Sequence, residues 1–241
     1  AGLQSANAAI TLIHEYTLGE PGSVAANNAP LDNVASSDFT GSFGTGNTSV
    51  TATGGAIGTG AYLSTTGSSG YFNATNTIGN NIAFGIYARQ STRANGTIFM
   101  TNGGSNPLKL QVGNNGWAAS VDGLAWVGTA QGTVGSFVAD EWVHLAVVVR
   151  NNQVNFFIDG VDQGGAYDNS GDNIAFNNMH LLTGIGGGST YTGDIDHLRV
   201  VTFDAVADNN AAVIGALAVP EPTSTALVGL AGLGLLLRRR S

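Results

Sequence analysis

The segment Glu141–Gly160 constrains the fold of this chain most, because it has the pattern of a β-hairpin. Apolar residues alternate along two runs separated by Asn151-Asn152, and a period of two places them on one face of an extended strand. Asn tolerates the positive φ angles that a tight hairpin turn requires. The predicted inner faces carry Val143, Leu145, Val147 and Val149 in the first strand and Val154, Phe156 and Ile158 in the second.

The opposite face of the first strand is also apolar. It carries Trp142, His144, Ala146 and Val148, which form too apolar a surface for a strand that faces water on that side. Strands with two apolar faces lie in the interior of a sheet that is covered on both sides. The pattern therefore predicts a central strand over this run.

The rest of the chain has the composition of an all-β protein. It contains 36 glycines in 241 residues, about twice the usual share, and these separate short runs rich in Val, Ile, Thr and aromatic residues. Residues 19–60 are mostly small and polar, which predicts a long surface segment with short edge strands. Further strands are predicted at 10–18, 81–89, 97–101, 108–112, 117–121, 179–185 and 191–203, and a short helix at 204–217.

Two parts of this strand pattern carry more detailed predictions. In the first, regular alternation puts Leu12, His14 and Tyr16 on one side. The four runs between 81 and 121 follow one another with short Gly/Asn turns, and this spacing predicts an antiparallel meander.

Three motifs resemble the laminin-G-like, concanavalin-A-like jelly-roll family. They are Trp-x-His-x-Ala-Val followed by Phe-Ile-Asp-Gly in the hairpin, the strand–turn–strand pattern of 60–72, and the closing Gly-Asp-Ile-Asp-His-Leu-Arg-Val of 193–200. The resemblance implies an all-β fold, a two-sheet antiparallel jelly-roll sandwich over residues 9–217.

The closing strand carries an irregularity that alternation alone reveals. Ile195 has the opposite parity to Leu198 and Val200, so all three can face the core only if the strand contains a β-bulge. We predict the bulge near Asp196 and His197.

The first eight residues have the pattern of the end of a signal peptide. Ala6 and Ala8 form the small-x-small signature of a signal-peptidase site, so cleavage after Ala8 is predicted. The alternative is a frayed soluble N-terminus.

The composition changes sharply after residue 217. Residues 218–225 form a linker with Pro220, Glu221 and Pro222, and an apolar run then leads to Arg238, Arg239 and Arg240. The order resembles the PEP-CTERM sorting tail of exported bacterial proteins. It implies a hydrophobic helix at 226–241 that holds the chain transiently in the inner membrane, with the arginines as a cytoplasmic stop, and an exosortase-type protease that cuts near the motif. An ordinary membrane helix that is never cut is the alternative.

The charge balance excludes one class of partner. The net charge is −8 and Lys109 is the only lysine, so a polyphosphate would be repelled over most of the surface. We expect no nucleic acid binding. The chain has no cysteine, so its stability does not depend on disulfides.

The acidic residues are arranged unfavourably for glycan hydrolysis. Glutamate occurs only at Glu15, Glu20, Glu141 and Glu221, and no Glu-x-Asp-x-Glu run is present. A retaining mechanism needs two carboxyl groups about 5 Å apart. Asp194 and Asp196 have the spacing of same-side residues, but the predicted bulge between them disturbs that geometry. We therefore expect no enzymatic activity.

Calcium is the cofactor that the resemblance implies. Hard cations prefer oxygen ligands from Asp, Asn and backbone carbonyl groups, and Asp196 matches the acid of the family's Gly-x-Ile-Asp motif. Ser64 stands where the family commonly has a turn Asp. The alternative is that Asp196 caps the bulge or pairs with Arg199. The four histidines show no metal-binding spacing, and His144 is predicted to be a structural residue.

The sequence thus predicts an exported, non-enzymatic protein of the cell surface or extracellular matrix whose jelly roll binds carbohydrate or protein. The alternatives are a lectin-derived glycan hydrolase and a purely structural matrix component. An aromatic-lined groove would favour binding.

Overall fold

The computed structural model describes residues 10–43, 47–57, 60–67, 70–73, 81–102, 108–113, 116–121, 125–127, 137–151, 153–163, 167–168, 178–183 and 190–218. The predicted signal peptide end and the predicted sorting tail lie outside these residues. Sixteen strands and one helix are described: β1 Thr11–Tyr16, β2 Thr40–Phe43, β3 Thr48–Thr51, β4 Tyr62–Thr65, β5 Gly70–Asn73, β6 Ile82–Arg89, β7 Gly96–Asn102, β8 Leu108–Gly113, β9 Gly116–Val121, β10 Ala125–Val127, β11 Val143–Arg150, β12 Gln153–Ile158, β13 Val161–Asp162, β14 Tyr167–Asp168, β15 Asn178–Leu181, β16 Gly193–Thr202 and α1 Asn210–Leu217.

The strands form two antiparallel sheets. The first sheet has the order β13-β12-β11-β6-β16-β4-β3, with β1 beside β16 and β14 beside β12, and the second has the order β10-β9-β8-β7-β15-β5-β2. The core lies between the sheets and includes Trp117, Phe84 and Phe99, whose side chains are almost fully buried. The predicted two-sheet sandwich is confirmed.

The predicted central hairpin is confirmed as β11 and β12. β11 pairs with both β12 and β6, and all seven residues from Val143 to Val149 are buried. Asn151 adopts a φ of 48° in the turn. Both faces of this strand are covered, as its two apolar faces predicted.

The predicted bulge near Asp196 and His197 is confirmed, but it follows Asp196, so the expectation that it separates Asp194 from Asp196 is wrong. The register of β16 against β6 shifts between Asp196 and Leu198, and His197 has a φ of 41°. One edge of β16 can therefore pair with two strands in turn, β4 beside residues 193–195 and β1 beside residues 198–202.

Two predictions about strand arrangement are wrong. β6 is not part of the meander: it lies in the first sheet between β11 and β16, and only β7 to β10 form a meander in the second sheet. In β1 a bulge between Leu12 and His14 breaks the alternation. Leu12 therefore packs on the outer face of the first sheet, whereas Tyr16 lies in the core between the sheets.

Helix α1 covers part of the outer face of the first sheet. Asn209 caps it, because its side chain accepts a hydrogen bond from the backbone N–H of Ala212 at 2.9 Å. Val213, Ile214 and Leu217 are buried against Ala83, Val148 and Val201. Among the described residues no helix is both long and apolar enough to cross a membrane. The predicted tail helix at 226–241 lies outside that part of the chain.

Candidate ligand-binding site

The outer face of the first sheet brings aromatic and charged side chains together beyond the end of α1. Strand register places Asp194 opposite Arg89 and His144 opposite Tyr87, and opposite residues in an antiparallel pair share one face. Trp142 immediately precedes β11 and Tyr62 begins β4. Adjacent strands thus assemble a surface from residues that are distant in the sequence.

Four of these residues form a group that we call the aromatic–arginine cluster: Tyr62, Arg89, Trp142 and Asp194. The guanidinium of Arg89 lies 4.5 Å from the centre of the Trp142 ring and 4.9 Å from that of Tyr62. The Nε and one terminal nitrogen of Arg89 donate to Oδ2 of Asp194 at 3.0 and 2.8 Å. About a fifth of each charged side chain remains exposed, so the cluster is accessible.

The loop 54–57 is held against this cluster. The carbonyl of Gly54 accepts hydrogen bonds from Trp142 Nε1 at 2.9 Å and from Arg89 at 3.3 Å. The Tyr62 and Trp142 rings meet edge to face at 5.5 Å, a favoured arrangement for aromatic pairs. These contacts orient the rings and the guanidinium without any ligand.

A cavity of about 290 Å³ lies beside the cluster; we call it the helix cavity. It is lined by Tyr87, His144, Asp159, Gly160, Ile214, Gly215 and Ala218. The His144 ring contacts Tyr87 at a centroid distance of 4.6 Å, and its backbone N–H donates to Asp159 Oδ1 at 2.8 Å. The turn after β12 and the end of α1 thus border a floor formed by β6 and β11.

His144 is a buried and neutral side chain. Burial lowers its pKa from 6.5 to about 4, because desolvation penalises the charged imidazolium. Its Nε2 is buried and has no hydrogen-bond partner among the described residues, and a Cβ on Gly85 would lie 2.7 Å from that nitrogen. Glycine at 85 therefore makes room for the ring. The predicted structural role of His144 agrees with this burial, but its unpaired nitrogen was not foreseen.

The other histidines have different surroundings from His144. His14 Nδ1 is 2.7 Å from Asp32 Oδ2. Burial by itself would raise the pKa of Asp32, but hydrogen bonds from His14 and from backbone N–H groups lower it below its usual value. His180 belongs to the second sheet. In the described part of the chain, no three His, Asp or Glu side chains are grouped so that they could hold a metal.

A family model described as the concanavalin A-like lectin/glucanases superfamily matches residues 58–206. The chain belongs to this superfamily. The matched region runs from the loop before β4 to the turn before α1, so it contains every residue of the aromatic–arginine cluster. No curated protein matches the sequence.

Solved structures confirm the fold of this superfamily member. Domain 4 of AbnA, a GH43 extracellular arabinanase from Geobacillus stearothermophilus, in complex with arabinotriose, has a TM-score of 0.62 and 17% identity, covering 85% of this chain and 98% of that one. The Trypanosoma rangeli sialidase has a TM-score of 0.55 and 11% identity, and the match covers 86% of this chain and 32% of the sialidase chain. The botulinum neurotoxin serotype D binding domain has a TM-score of 0.53 and 12% identity, and the match covers 86% of this chain and 52% of the neurotoxin chain. Identities this low show the fold alone.

A second family model, described as the PEP-CTERM protein-sorting motif, matches residues 218–240. It contains the predicted motif Pro220, Glu221 and Pro222 and the predicted stop Arg238, Arg239 and Arg240. The motif implies export and membrane sorting. These residues, and the predicted cleavage residues Ala6 and Ala8, lie outside the described part of the chain.

Asp196, the calcium ligand suggested by the family resemblance, has a different set of contacts. Its side chain is fully buried, and Oδ2 accepts the backbone N–H groups of Ala56 and Ile57 at 2.8 and 3.2 Å. Oδ1 lies 3.2 Å from His197 Nδ1. Two N–H donors face Oδ2 and an imidazole nitrogen faces Oδ1, so these residues do not fit calcium. They fit the alternative of an acid that fixes the loop beside the bulge.

The suggested pairing of Asp196 with Arg199 is wrong. Arg199 instead donates to Glu15 Oε1 at 2.6 and 2.8 Å. Ser64, which stands where the family commonly has a turn Asp, pairs with Asp194 in the sheet.

Proposed function

We propose that this domain is a non-enzymatic carbohydrate-binding module of an exported protein and that its ligand contacts the aromatic–arginine cluster. The observation that supports this most is the arrangement of Trp142, Tyr62 and the Arg89–Asp194 pair on one partly exposed surface. Binding sites combine apolar and aromatic area with a few fixed polar groups. A sugar ring presents the matching surface, with apolar C–H faces and hydroxyl groups around the edge.

The charges of the cluster suit hydroxyl groups. Arginine supplies only donors and a carboxylate supplies only acceptors, so the pair can satisfy a hydroxyl in either role. The ion pair is neutral overall and the chain has a net charge of −8. A neutral glycan therefore fits better than an acidic one.

The contacts of Asp194 and Asp196 support a binding role over hydrolysis. Hydrolysis of a glycoside needs one carboxyl group as acid and a second as base or nucleophile. Asp194 is held by Arg89, and Asp196 is buried and faces backbone N–H groups. These contacts support the proposal that neither carboxylate protonates or attacks a ligand on the cluster.

The sorting motif supports a location outside the inner membrane. In this proposal an exosortase-type enzyme cuts near Pro220–Pro222 and passes the domain to the cell surface or the extracellular matrix. The glycan ligand then belongs to the envelope or the matrix around the cell. A protein ligand is the competing outcome, and a glycan array distinguishes the two.

Comparison of two arginine variants on a glycan array tests the proposal. Arg89→Ala removes the centre of the cluster. Arg150→Ala is the matched control, because its guanidinium also lies over an aromatic ring, Phe203 at 4.6 Å, and also donates to a backbone carbonyl. We expect the wild-type chain and Arg150→Ala to bind the same neutral glycans and Arg89→Ala to lose at least about tenfold in affinity, the effect of one ~1.4 kcal/mol contact. Equal binding by all three proteins would contradict the proposed surface, and no glycan binding at all would contradict the function.

A further inference from the structure

The helix cavity is a separate feature from the aromatic–arginine cluster, although the two adjoin. Tyr87 and Arg89 are alternate residues of β6, and His144 of β11 has the same spacing from Trp142, which lies just before that strand. Alternate residues of a strand point to the same side about 7 Å apart. A ligand that occupies the cluster can therefore extend into the cavity.

The walls of the cavity restrict the length of such a ligand. The sheet forms the floor, α1 forms one side through Ile214 and Gly215, and the Asp159–Gly160 turn forms another. A volume of about 290 Å³ lies at the lower end of the ~300–1,000 Å³ range of small-molecule pockets. The cavity has room for one ring.

The groups that line the cavity restrict the charge of the ligand. None of the seven lining residues is Lys or Arg, and His144 is neutral above pH 5 because its pKa is lowered to about 4 by burial. Asp159 uses Oδ1 for the His144 backbone N–H and its second oxygen has no partner in the part of the chain that the structure describes. The rim thus offers an acceptor and the walls offer the apolar surfaces of Tyr87 and Ile214, which disfavours an anion.

We propose that the helix cavity receives the terminal residue of a neutral glycan, so that this domain recognises chain ends and the aromatic–arginine cluster contacts the next residue. This rests on the proposed function, since it specifies which part of a glycan the outer face binds. A terminal ring can place its apolar face against Tyr87 and Ile214 and donate a hydroxyl to Asp159. A glycan chain that ran flat along the sheet floor through the cavity would meet α1 on one side or the Asp159–Gly160 turn on the other.

Gly215 offers a way to close the cavity. A Cβ built at this position has no atom within 4 Å, and the residue lines the cavity. Gly215→Leu therefore fills the space without displacing a packed side chain. Ala211→Leu is the matched control, because residue 211 is exposed on the same helix and does not line the cavity.

The experiment titrates the full chain with methyl glycosides of neutral pentoses and hexoses, with thermal melts to verify folding. We expect the wild type and Ala211→Leu to bind the same glycoside and Gly215→Leu to bind it at least about tenfold more weakly. Gly215→Met is the second variant if Gly215→Leu does not fold. Equal binding by the cavity variant would overturn the proposal, as would preference for a uronic acid or an amino sugar glycoside.

Oligosaccharides separate this proposal from the proposed function. If Arg89→Ala loses oligosaccharide binding and Gly215→Leu does not, the cluster binds glycans along their length and the end-recognition proposal is wrong. If Gly215→Leu alone loses binding of both single sugars and oligosaccharides, the cavity is the site and the role of the cluster is wrong. If neutral sugars of every length fail to bind, both proposals are wrong.

Discussion

The same three strands, β6, β11 and β16, build both ends of the outer face of the first sheet, and the two ends differ in what they present. At one end they present Ala83, Val148 and Val201, which α1 covers. At the other end they present Arg89, Asp194 and, just before β11, Trp142, which remain partly exposed beside the loop 54–57. We call these the helix-covered end and the polar end.

The difference separates stability from recognition within one sheet face. The helix-covered end buries apolar side chains, which stabilises the fold by about 25 cal/mol for each Å² of apolar surface removed from water. The polar end pairs Arg89 with Asp194 and leaves part of both charged groups accessible beside the rings. His144 and the helix cavity lie where the two ends meet.

The largest expected effect is at the helix-covered end. Val148→Asp would place a carboxylate between the sheet and α1, where Val148 is fully buried. An unpaired buried charge costs several kcal/mol, against a total stability of about 5–15 kcal/mol. We expect the variant to be unfolded or to melt far below the wild type in circular dichroism. Asn155→Asp is the control, because Asn155 pairs with Val148 but is only half buried. A wild-type melting temperature for Val148→Asp would show that α1 does not cover this end.

Acid should weaken the fold through His144, at the junction of the two ends. Its folded-state pKa is about 4, below the value of 6.5 of a free histidine. The unfolded chain therefore binds a proton as the pH falls below 6.5 while the folded chain does not, so the stabilisation is complete above pH 6.5 and is lost by about pH 4. A shift of this size corresponds to about 3 kcal/mol.

The measurement is the free energy of urea unfolding at several pH values for the wild type and His144→Leu. The variant should lose about 3 kcal/mol less than the wild type between pH 7 and pH 4. Parallel pH profiles would mean that His144 is not buried in the neutral form.

Alternation along the strands predicted much of the framework on which these two ends are built. It gave the hairpin, the two covered faces of β11 and the bulge near Asp196, because side-chain parity in a strand is a local property. It failed for β1. Leu12 and Ile13 are both apolar and pack against opposite faces of the sheet, so the bulge leaves no visible break in the apolar pattern. It also failed for β6, because pairing with β11 and β16 joins segments that are far apart in the sequence.

The polar end was harder to predict for the same reason. Trp142 and Arg89 each lie at a strand end with outward parity, but only the register of β6 against β11 places them side by side. Asp196 was identified from its motif, yet its partners Ala56 and Ile57 lie about 140 residues earlier. The motif therefore indicated an important acid, and the distant loop determines what the acid does.

A pair of glycine substitutions should act in opposite directions at the two ends. At Gly55 in the loop 54–57, a Cβ would lie 2.7 Å from the carbonyl oxygen of Ala61 and 2.9 Å from Asp196 Oδ2. Gly55→Ala should therefore destabilise the fold by about 1–3 kcal/mol. Gly215→Ala has open space in a helix and should stabilise it by about 0.5–1 kcal/mol. Thermal melts of both variants provide the measurement, and a stabilising Gly55→Ala would show that the loop does not rest on Asp196.

The smallest expected effect concerns calcium at Asp196. A metal bound only to the folded chain would raise the melting temperature by mass action. Because Oδ2 already accepts two backbone N–H groups, we expect the same melting temperature in EDTA and in millimolar calcium. Asp196→Asn is the companion variant. The asparagine side chain has one oxygen in place of two, and its NH₂ group would point toward groups that donate hydrogen bonds to the carboxylate in the wild type. It should be destabilised equally in both buffers if Asp196 fixes the loop. A calcium-dependent rise in the wild type that disappears in Asp196→Asn would instead establish a metal site, and the loop 54–57 would then have to move away from the carboxylate to admit the ion.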